Sequence, residues 1–119
     1  MSHCNNNKNL FLAVDGGGTK AEFAIFNKDG NVLFTFKKPG NNPNFGGMDK
    51  TKQIMNDGIS YALSMYPSIH YVFIGNAGLL TNNNKDILQS YLQEAYPNLH
   101  IACDTDLVNL ISLSACKYS

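Results

Sequence analysis

The order of apolar and polar residues along the chain predicts three strands before any helix. A short apolar run at residues 10–15 (LFLAVD) stops at glycine and is typical of a buried strand. Two further runs, rich in β-branched and aromatic residues, occupy 21–27 and 31–37 and flank the dipeptide Asp29-Gly30. Such a dipeptide favours a hairpin, because the turn needs a positive φ that glycine adopts without strain. This part of the chain therefore predicts an antiparallel meander.

The period of the pattern changes after a loop at residues 38–47, which is rich in proline, glycine and asparagine. Apolar residues then recur at helical spacing over 49–66 and over 84–96, and each stretch ends before a proline. A strand with its turn, a short strand and a third helix complete the pattern, at residues 69–78, 99–103 and 106–116. We see no internal repeat in this order of elements.

Each of the first two helices is predicted to bury one apolar stripe. The stripes consist of Met55, Ile59, Ala62, Leu63 and Tyr66 on the first helix, and of Ile87, Leu88, Tyr91, Leu92 and Ala95 on the second. A helix before each later strand returns the chain, so these strands are expected to lie parallel. The sequence thus predicts an α/β domain with one mixed five-stranded sheet and helices packed on it.

Composition excludes several classes of protein. The chain has 119 residues and no net charge, and all nine basic residues are lysines, which argues against nucleic-acid binding. Cys4, Cys103 and Cys116 form neither a disulfide framework nor a zinc pattern, which fits a reducing compartment. No apolar run approaches the roughly 20 residues of a membrane span. We therefore expect a cytoplasmic protein that binds neither nucleic acid nor membrane.

The stretch VDGGGTK at residues 14–20 joins the first two predicted strands. The Walker A motif requires Gly-Lys-Thr or Gly-Lys-Ser and a helix afterwards, whereas here the order is Thr-Lys and a strand follows. The dinucleotide fingerprint is formally matched by Gly16, Gly18 and Ala21, but it also requires a helix next. What remains is a glycine turn that either binds an anion through successive N–H groups or only reverses the chain.

An aspartate, a glycine turn and Thr-Lys in a first hairpin, followed by this element order, resemble the actin-like ATPases and sugar kinases. Within them the chain, from about Leu10 onward, looks most like the N-acetylglucosamine kinase and BadF/BadG/BcrA/BcrD ATPase family. Three segments carry the resemblance: VDGGGTKAEFAIFNKDGNV to the first phosphate motif, GNNPNFGG to the sugar-side loop, and DTDLVNLISLSA to the acidic turn. The resemblance implies a ribonuclease H-like (actin-like ATPase) domain of order β-β-β-α-β-α-β-α.

The resemblance also implies how ATP and Mg²⁺ would be bound. The phosphate-binding residues would be Gly16, Gly17, Gly18, Thr19 and Lys20. A Cβ atom on the glycines would hold the phosphate away, while the hydroxyl and the ammonium add a donor and a charge. Asp15 would hold Mg²⁺ through water, since this ion keeps much of its hydration shell.

On the sugar side, the resemblance assigns Asp106 as the catalytic base that takes the proton of the attacking hydroxyl. Asn44, Asn42 and Gly78 would contact the sugar, and asparagine has both the donors and the acceptors that vicinal hydroxyls need. Leu107 stands where the family has a small residue. Each assignment has a structural alternative, because Asp106 can cap a helix and the asparagines and the glycine can simply form turns.

The polar N-terminal residues predict a flexible leader at 1–9, and the resemblance implies an N-terminal actin-like ATPase domain at 10–119. Family members carry the adenosine pocket in a second domain, and we expect this domain to be missing from the chain, whose last residue is Ser119. We therefore expect the N-terminal half of an ATP-dependent sugar kinase acting on N-acetylglucosamine or a related amino sugar. The half alone should be inactive, and its partners should be sugar, ATP and a second copy in a homodimer. Two alternatives stay open: an ATPase activator of a dehydratase or reductase, and a non-catalytic regulatory or assembly module.

Overall fold

The computed structural model describes residues 9–16, 20–39, 48–76 and 82–104. They form the strands β1 (Leu10–Gly16), β2 (Lys20–Phe26), β3 (Val32–Pro39), β4 (Ile69–Asn76) and β5 (His100–Asp104), and the helices α1 (Met48–Met65) and α2 (Asn82–Ala95). The strands and helices predicted in these ranges are confirmed, with small differences at their ends. Lys38 and Pro39, which were predicted to lie in a loop, still pair with β2. The helix predicted at 106–116 lies outside the described residues.

All five strands belong to one mixed sheet of order β3-β2-β1-β4-β5. The pairs β1–β2 and β2–β3 are antiparallel, which confirms the predicted meander. The pairs β1–β4 and β4–β5 are parallel, as expected for strands that follow helices. The first strand is therefore central, with an antiparallel neighbour on one side and a parallel neighbour on the other.

The turn between β2 and β3 shows why the Asp-Gly dipeptide marked it. Gly30 has a φ of 87°, a conformation that side-chain-bearing residues rarely adopt. The Asn27 side chain supports the turn, because its Oδ1 accepts hydrogen bonds from the backbone amides of Asp29 and Asn31, both at 3.0 Å. The local sequence thus determines this reversal without help from distant contacts.

Both described helices pack on the same face of the sheet, and the core lies between them and the strands. The helices contribute the buried residues Met55, Ile59, Ala62, Leu88 and Leu92. The sheet contributes alternate residues of β1, β2, β4 and β5: Leu12, Val14, Phe23, Ile25, Val72, Ile74, Ile101 and Cys103. The stripe predicted on α1 is confirmed, with Leu63 and Tyr66 partly buried at its end. Of the helices in the described ranges, none combines the length and the apolar character that a membrane crossing needs.

The stripe predicted on α2 is only partly right. Three of its five residues are exposed: Ile87, Tyr91 and Ala95. The reason is the place of this helix beside β5, at the edge of the sheet. There Gln89 reaches the backbone instead, and its Oε1 accepts a hydrogen bond from the Cys103 amide at 3.1 Å. At the edge of the sheet, the strands beneath α2 cover only part of its apolar stripe, and the rest of the stripe stays exposed.

The chain enters β4 and β5 through two connections of the same construction. Tyr66 follows α1 and Tyr96 follows α2, and a proline comes directly after each tyrosine. The Ile69 amide donates to the Tyr66 carbonyl at 3.2 Å, and the Leu99 amide donates to the Tyr96 carbonyl at 3.1 Å. The same sequence signal therefore ends both helices with the same turn.

The opposite face of the sheet carries an aromatic cluster. The ring of Phe11 stacks on those of Phe26, Tyr71 and Phe73, at centroid distances of 5.3, 4.9 and 6.1 Å. Phe11 and Phe73 are each 6% exposed, although both described helices lie on the other face. The face beneath the helices thus combines aliphatic side chains with the stacked rings of Phe23 and Phe36, whereas the opposite face carries this separate aromatic cluster.

Candidate phosphate-binding site

The carboxyl ends of the parallel strands β1, β4 and β5 meet at one edge of the sheet. Open α/β sheets bind ligands in the crevice outside this edge. Because β1 ends at Gly16 and β2 begins at Lys20, the predicted glycine turn lies at the same edge. Helices α1 and α2 also start there, since each returns the chain to the other edge. The topology therefore brings the turn to the position where a ligand is expected.

Three of the predicted site residues fall within the described ranges, namely Asp15, Gly16 and Lys20. The remaining ones lie outside these ranges: Gly17, Gly18, Thr19, Asn42, Asn44, Gly78 and Asp106. Their roles stay predictions. Strand β5 ends at Asp104, two positions before the predicted base, so the chain leaves the sheet at the edge where that base is needed.

Acidic side chains line the sheet just below this edge. Asp15 is paired in register with Glu22 on one side and with Gly75 on the other, and Gly75 is paired with Asp104. Residues directly opposite each other share a face of the sheet. The Cα atoms of Asp15 and Asp104 are therefore about 10 Å apart, which is two strand spacings. Gly75, which lies between them, has no side chain. Asp15 is exposed, so its carboxylate is accessible to a hydrated cation.

Lys20 makes an ion pair beside the turn. Its Nζ atom lies 3.6 Å from Oε1 of Glu22, and both side chains are about half exposed. Exposed pairs of this kind contribute only about 0–1 kcal/mol, because water screens the charges. The ammonium can therefore leave Glu22 at little cost and turn toward an anion bound at the glycine turn.

Gly16 is closely packed against a residue that the sequence analysis did not single out. It is paired in register with Asn76, whose side chain is 2% exposed. A Cβ atom on Gly16 would lie 2.7 Å from Nδ2 of Asn76, closer than such contacts occur. Gly16 lacks the positive φ that by itself favours glycine, so packing explains this residue. The available signal was a polar residue shortly after the apolar run at residues 72–74 of β4.

Cys103 has no chemical role that its surroundings would support. Burial raises the pKa of its thiol to about 12, and the nearby Lys85 offsets this only in part. A thiol with such a pKa is protonated near neutral pH and is therefore a poor nucleophile. Within the described ranges, no group of three His, Cys, Asp or Glu side chains is placed to hold a metal ion.

A groove of about 410 Å³ lies at the opposite edge of the sheet, between the two tyrosine-proline connections. Its walls include Pro67, His70, Tyr96 and Pro97. The groove is lined neither by the carboxylates of Asp15 and Asp104 nor by the glycine turn, so it is not part of the candidate site.

Comparison with known proteins gives one similar sequence and a set of similar folds. No protein-family model matches the chain. N-acetyl-D-glucosamine kinase of Dictyostelium discoideum is 24% identical over 98 residues, covering 73% of this chain and 31% of that protein. The chain thus spans about a third of the length of this curated relative.

Two of the similar folds are candidate sugar kinases by description, and a third is a transcriptional regulator. A candidate N-acetylglucosamine kinase of Porphyromonas gingivalis has a TM-score of 0.63, 24% identity, and coverage of 79% of this chain and 34% of that one. A candidate sugar kinase of Cytophaga hutchinsonii has a TM-score of 0.58, 22% identity, and coverage of 80% and 35%. A ROK family transcriptional regulator, homologous to the Escherichia coli MLC protein, has a TM-score of 0.58, 15% identity, and coverage of 83% and 28%.

These findings agree with the ribonuclease H-like, actin-like fold implied by the resemblance, and the mixed sheet of five strands is the one predicted. They confirm the resemblance itself, in sequence and in fold. The chain is thus similar in sequence to one N-acetylglucosamine kinase and similar in fold to candidate sugar kinases, over about a third of the length of each.

Proposed function

We propose that this chain forms one wall of the active site of an ATP-dependent sugar kinase, with N-acetylglucosamine or a related amino sugar as acceptor. One observation carries the proposal: the sequence match to a sugar kinase and the two fold matches to candidate sugar kinases each cover about a third of the matched protein. The shares are 31% by sequence and 34% and 35% by fold. The adenosine pocket and the second phosphate motif would belong to a second domain.

In this proposal the glycine turn after β1 binds the phosphates of ATP through its backbone amides, with Thr19 and Lys20 as further donors. The exposed carboxylate of Asp15 would hold a hydrated Mg²⁺, which neutralises charge on the phosphates. Gly75, the neighbour of Asp15 in register on β4, contributes no side chain beside this carboxylate. These residues bind and orient the nucleotide, and they do not themselves react.

Asp106 would accept the proton of the attacking sugar hydroxyl, while Asn42, Asn44 and Gly78 would hold the sugar. The position of Asp104 at the end of β5 supports this role, because the base then follows directly at the ligand-binding edge. The wall alone should show no kinase activity, since an ATP molecule bound on one side is neither oriented nor shielded from water.

The test is ADP release by the complete protein with N-acetylglucosamine as acceptor. Asp106→Asn keeps the shape of the side chain and removes the base, so turnover should fall by roughly 100-fold or more. The affinity for the sugar should change less, because asparagine still binds a hydroxyl. Asp104→Asn is the matched control, and it should keep turnover within a few-fold of the wild type.

Near-normal turnover of the Asp106→Asn variant would refute the assigned base. Turnover with glycerol but with no hexose would refute the substrate class and leave the fold untouched.

A regulatory module is the second candidate function, because a ROK transcriptional regulator shares this fold at a TM-score of 0.58. Such a protein would bind the sugar without transferring a phosphate. Sugar binding in calorimetry, together with no ADP release from ATP and sugar, would favour this candidate over the kinase.

A further inference from the structure

One buried polar side chain stands directly behind the candidate phosphate-binding turn. Asn76 is the last residue of β4 and Gly16 is the last residue of β1, and the two are neighbours in register. Besides Nδ2, a Cβ atom on Gly16 would meet Cγ of Asn76 at 3.0 Å and its Cβ at 3.3 Å. The carboxamide therefore fills the volume that a side chain of residue 16 would need.

Position 76 is polar although its strand is otherwise apolar on this face. Val72 and Ile74 precede Asn76 on the same face, and both are fully buried. Burial of an amide costs free energy unless its polar atoms are hydrogen-bonded. An aliphatic residue would serve packing alone, so the amide at this position indicates a use for its polar atoms.

The other buried polar residue among those described is Thr51, close to the start of α1. Because α1 begins at the carboxyl edge of the sheet, Thr51 and Asn76 both lie toward the glycine turn. The described core is thus apolar at its centre and at its far end, and polar behind the candidate site.

We propose that Asn76 is a positioning residue for the glycine turn, an inference that rests on the proposed kinase function. Its carboxamide fixes the backbone of Gly16 and so sets the direction in which the turn leaves β1. The N–H groups that follow must converge on a phosphate, and a misplacement of about 1 Å can lower a rate about 100-fold. Since Asn76 is buried, it acts through Gly16 and does not touch the nucleotide.

The contact is tested by a thermal double-mutant cycle on this chain. Gly16→Ala should lower Tm by about 5–10 °C, because the new methyl group overlaps with the Asn76 amide. In an Asn76→Ala background the same change should lower Tm by less than half as much, since Nδ2 and Cγ are gone. Asn76→Ser, which also lacks Nδ2, serves in the cycle if Asn76→Ala does not fold. Equal falls of Tm in both backgrounds would overturn the contact.

The positioning role is tested by steady-state kinetics of the complete kinase. Asn76→Ala should raise the KM for ATP by about 10-fold, or 1.4 kcal/mol, and leave the KM for the sugar within twofold. Ile74→Val is the matched control, because it truncates the same face of β4 one layer deeper in the core. An unchanged KM for ATP in Asn76→Ala, or an equal rise in Ile74→Val, would overturn the role.

The two experiments separate this inference from the function on which it rests. If the complete wild-type protein does not turn over ATP, the proposed function is refuted, and so is any role of Asn76 in nucleotide binding. The thermal cycle would still decide whether Asn76 and Gly16 are in contact. If the wild type turns over ATP normally but the effects of Gly16→Ala and Asn76→Ala on Tm simply add, the inference is refuted and the proposed function still stands.

Discussion

Two lysines on one face of the sheet differ in their distance from the glycine turn. Lys20 begins β2 next to the turn and pairs with Glu22, while Lys37 lies opposite Glu22 on β3, one strand further away. In the complete kinase, Lys20→Ala should lower ATP turnover by about 10-fold whichever sugar is the acceptor, because a charge at the phosphates is lost. Tm should hardly change, since the ion pair is exposed. ADP release and thermal melts measure the two effects.

Lys37→Ala is the matched control for this prediction. It removes the same charge from the same face and should leave turnover within twofold. If both variants lose activity equally, the general charge of this surface matters and a specific phosphate contact of Lys20 is excluded.

The thiol of Cys103 should make stability depend on alkaline pH. Burial raises its pKa from 9.0 to about 12, so the folded state favours the protonated form. Its contribution is fully present below pH 9 and is lost as the pH rises through the window from 9 to 12. We therefore expect the Tm difference between the wild type and Cys103→Ala to shrink across this window.

Other groups also titrate at high pH, and burial likewise raises the pKa of Tyr96. These groups are present in both proteins, so the difference in Tm isolates the thiol. Ile101→Val, a truncation of the same strand without a titrating group, should keep a constant difference from the wild type. A constant difference for Cys103→Ala as well would show that the thiol stays protonated throughout.

Among the elements, α1 packs closely against the sheet at Gly58. A Cβ atom there would overlap with the ring of Phe23, which is fully buried and stacked on Phe36 at 4.7 Å. In an exposed helix, replacing glycine by alanine stabilises by about 1 kcal/mol. Here we expect the opposite sign, a loss of about 2 kcal/mol, because overpacking of a rigid core outweighs helix propensity. Urea denaturation of Gly58→Ala measures this change.

Two further variants show whether the ring of Phe23 causes the effect. In a Phe23→Leu background the loss caused by Gly58→Ala should become smaller, since the shorter side chain leaves room. Gln53→Ala, on the exposed side of the same helix, should be close to neutral. A Gly58→Ala variant more stable than the wild type would show that α1 can move away from the sheet.

The elements were largely predictable because their signals are local. The Asp29-Gly30 turn, the alternation along β2 and the prolines after both helices each lie within a few residues of what they determine. The exposure of Ile87 and Tyr91 was not predictable in this way, because it depends on α2 lying beside the edge strand β5. That position is a property of the whole sheet and leaves no trace in the periodicity of the helix.

In the candidate site too, residues that are adjacent in the chain were predictable and a residue brought there by the fold was not. The sequence predicted that Asp15, the glycines and Lys20 belong together, because they are adjacent in the chain. It did not indicate Asn76, which reaches Gly16 only through the register between two strands separated by β2, β3 and α1. Contacts set by register are invisible to a local pattern.

For the molecule as a whole, β3 is one of the two edge strands of the described sheet. Its first residues leave apolar side chains in water: Val32 is 60% exposed, Leu33 40% and Phe34 36%. An edge strand of this kind pairs readily with another chain, although Lys37 and Lys38 at its other end oppose such pairing. We expect this chain to self-associate through β3, and Val32→Lys to shift the association to higher concentration by about 10-fold.

Light scattering over a concentration series measures the association. Ile87→Lys is the control, because Ile87 is also exposed but lies on a helix and away from the strand edge. A wild-type chain that stays monomeric at high concentration, or equal effects of the two variants, would contradict association through β3.

The mixed pairing of β1 has a consequence for how the protein is made. Its antiparallel partner follows directly in the chain, so the meander can form as soon as that part has left the ribosome. Its parallel partner β4 comes only after α1 has been synthesised. During that interval the strand that becomes the centre of the sheet has one neighbour and one open edge, the condition in which partly folded chains aggregate. The speed of translation between residues 39 and 76 therefore bears on the yield of folded protein.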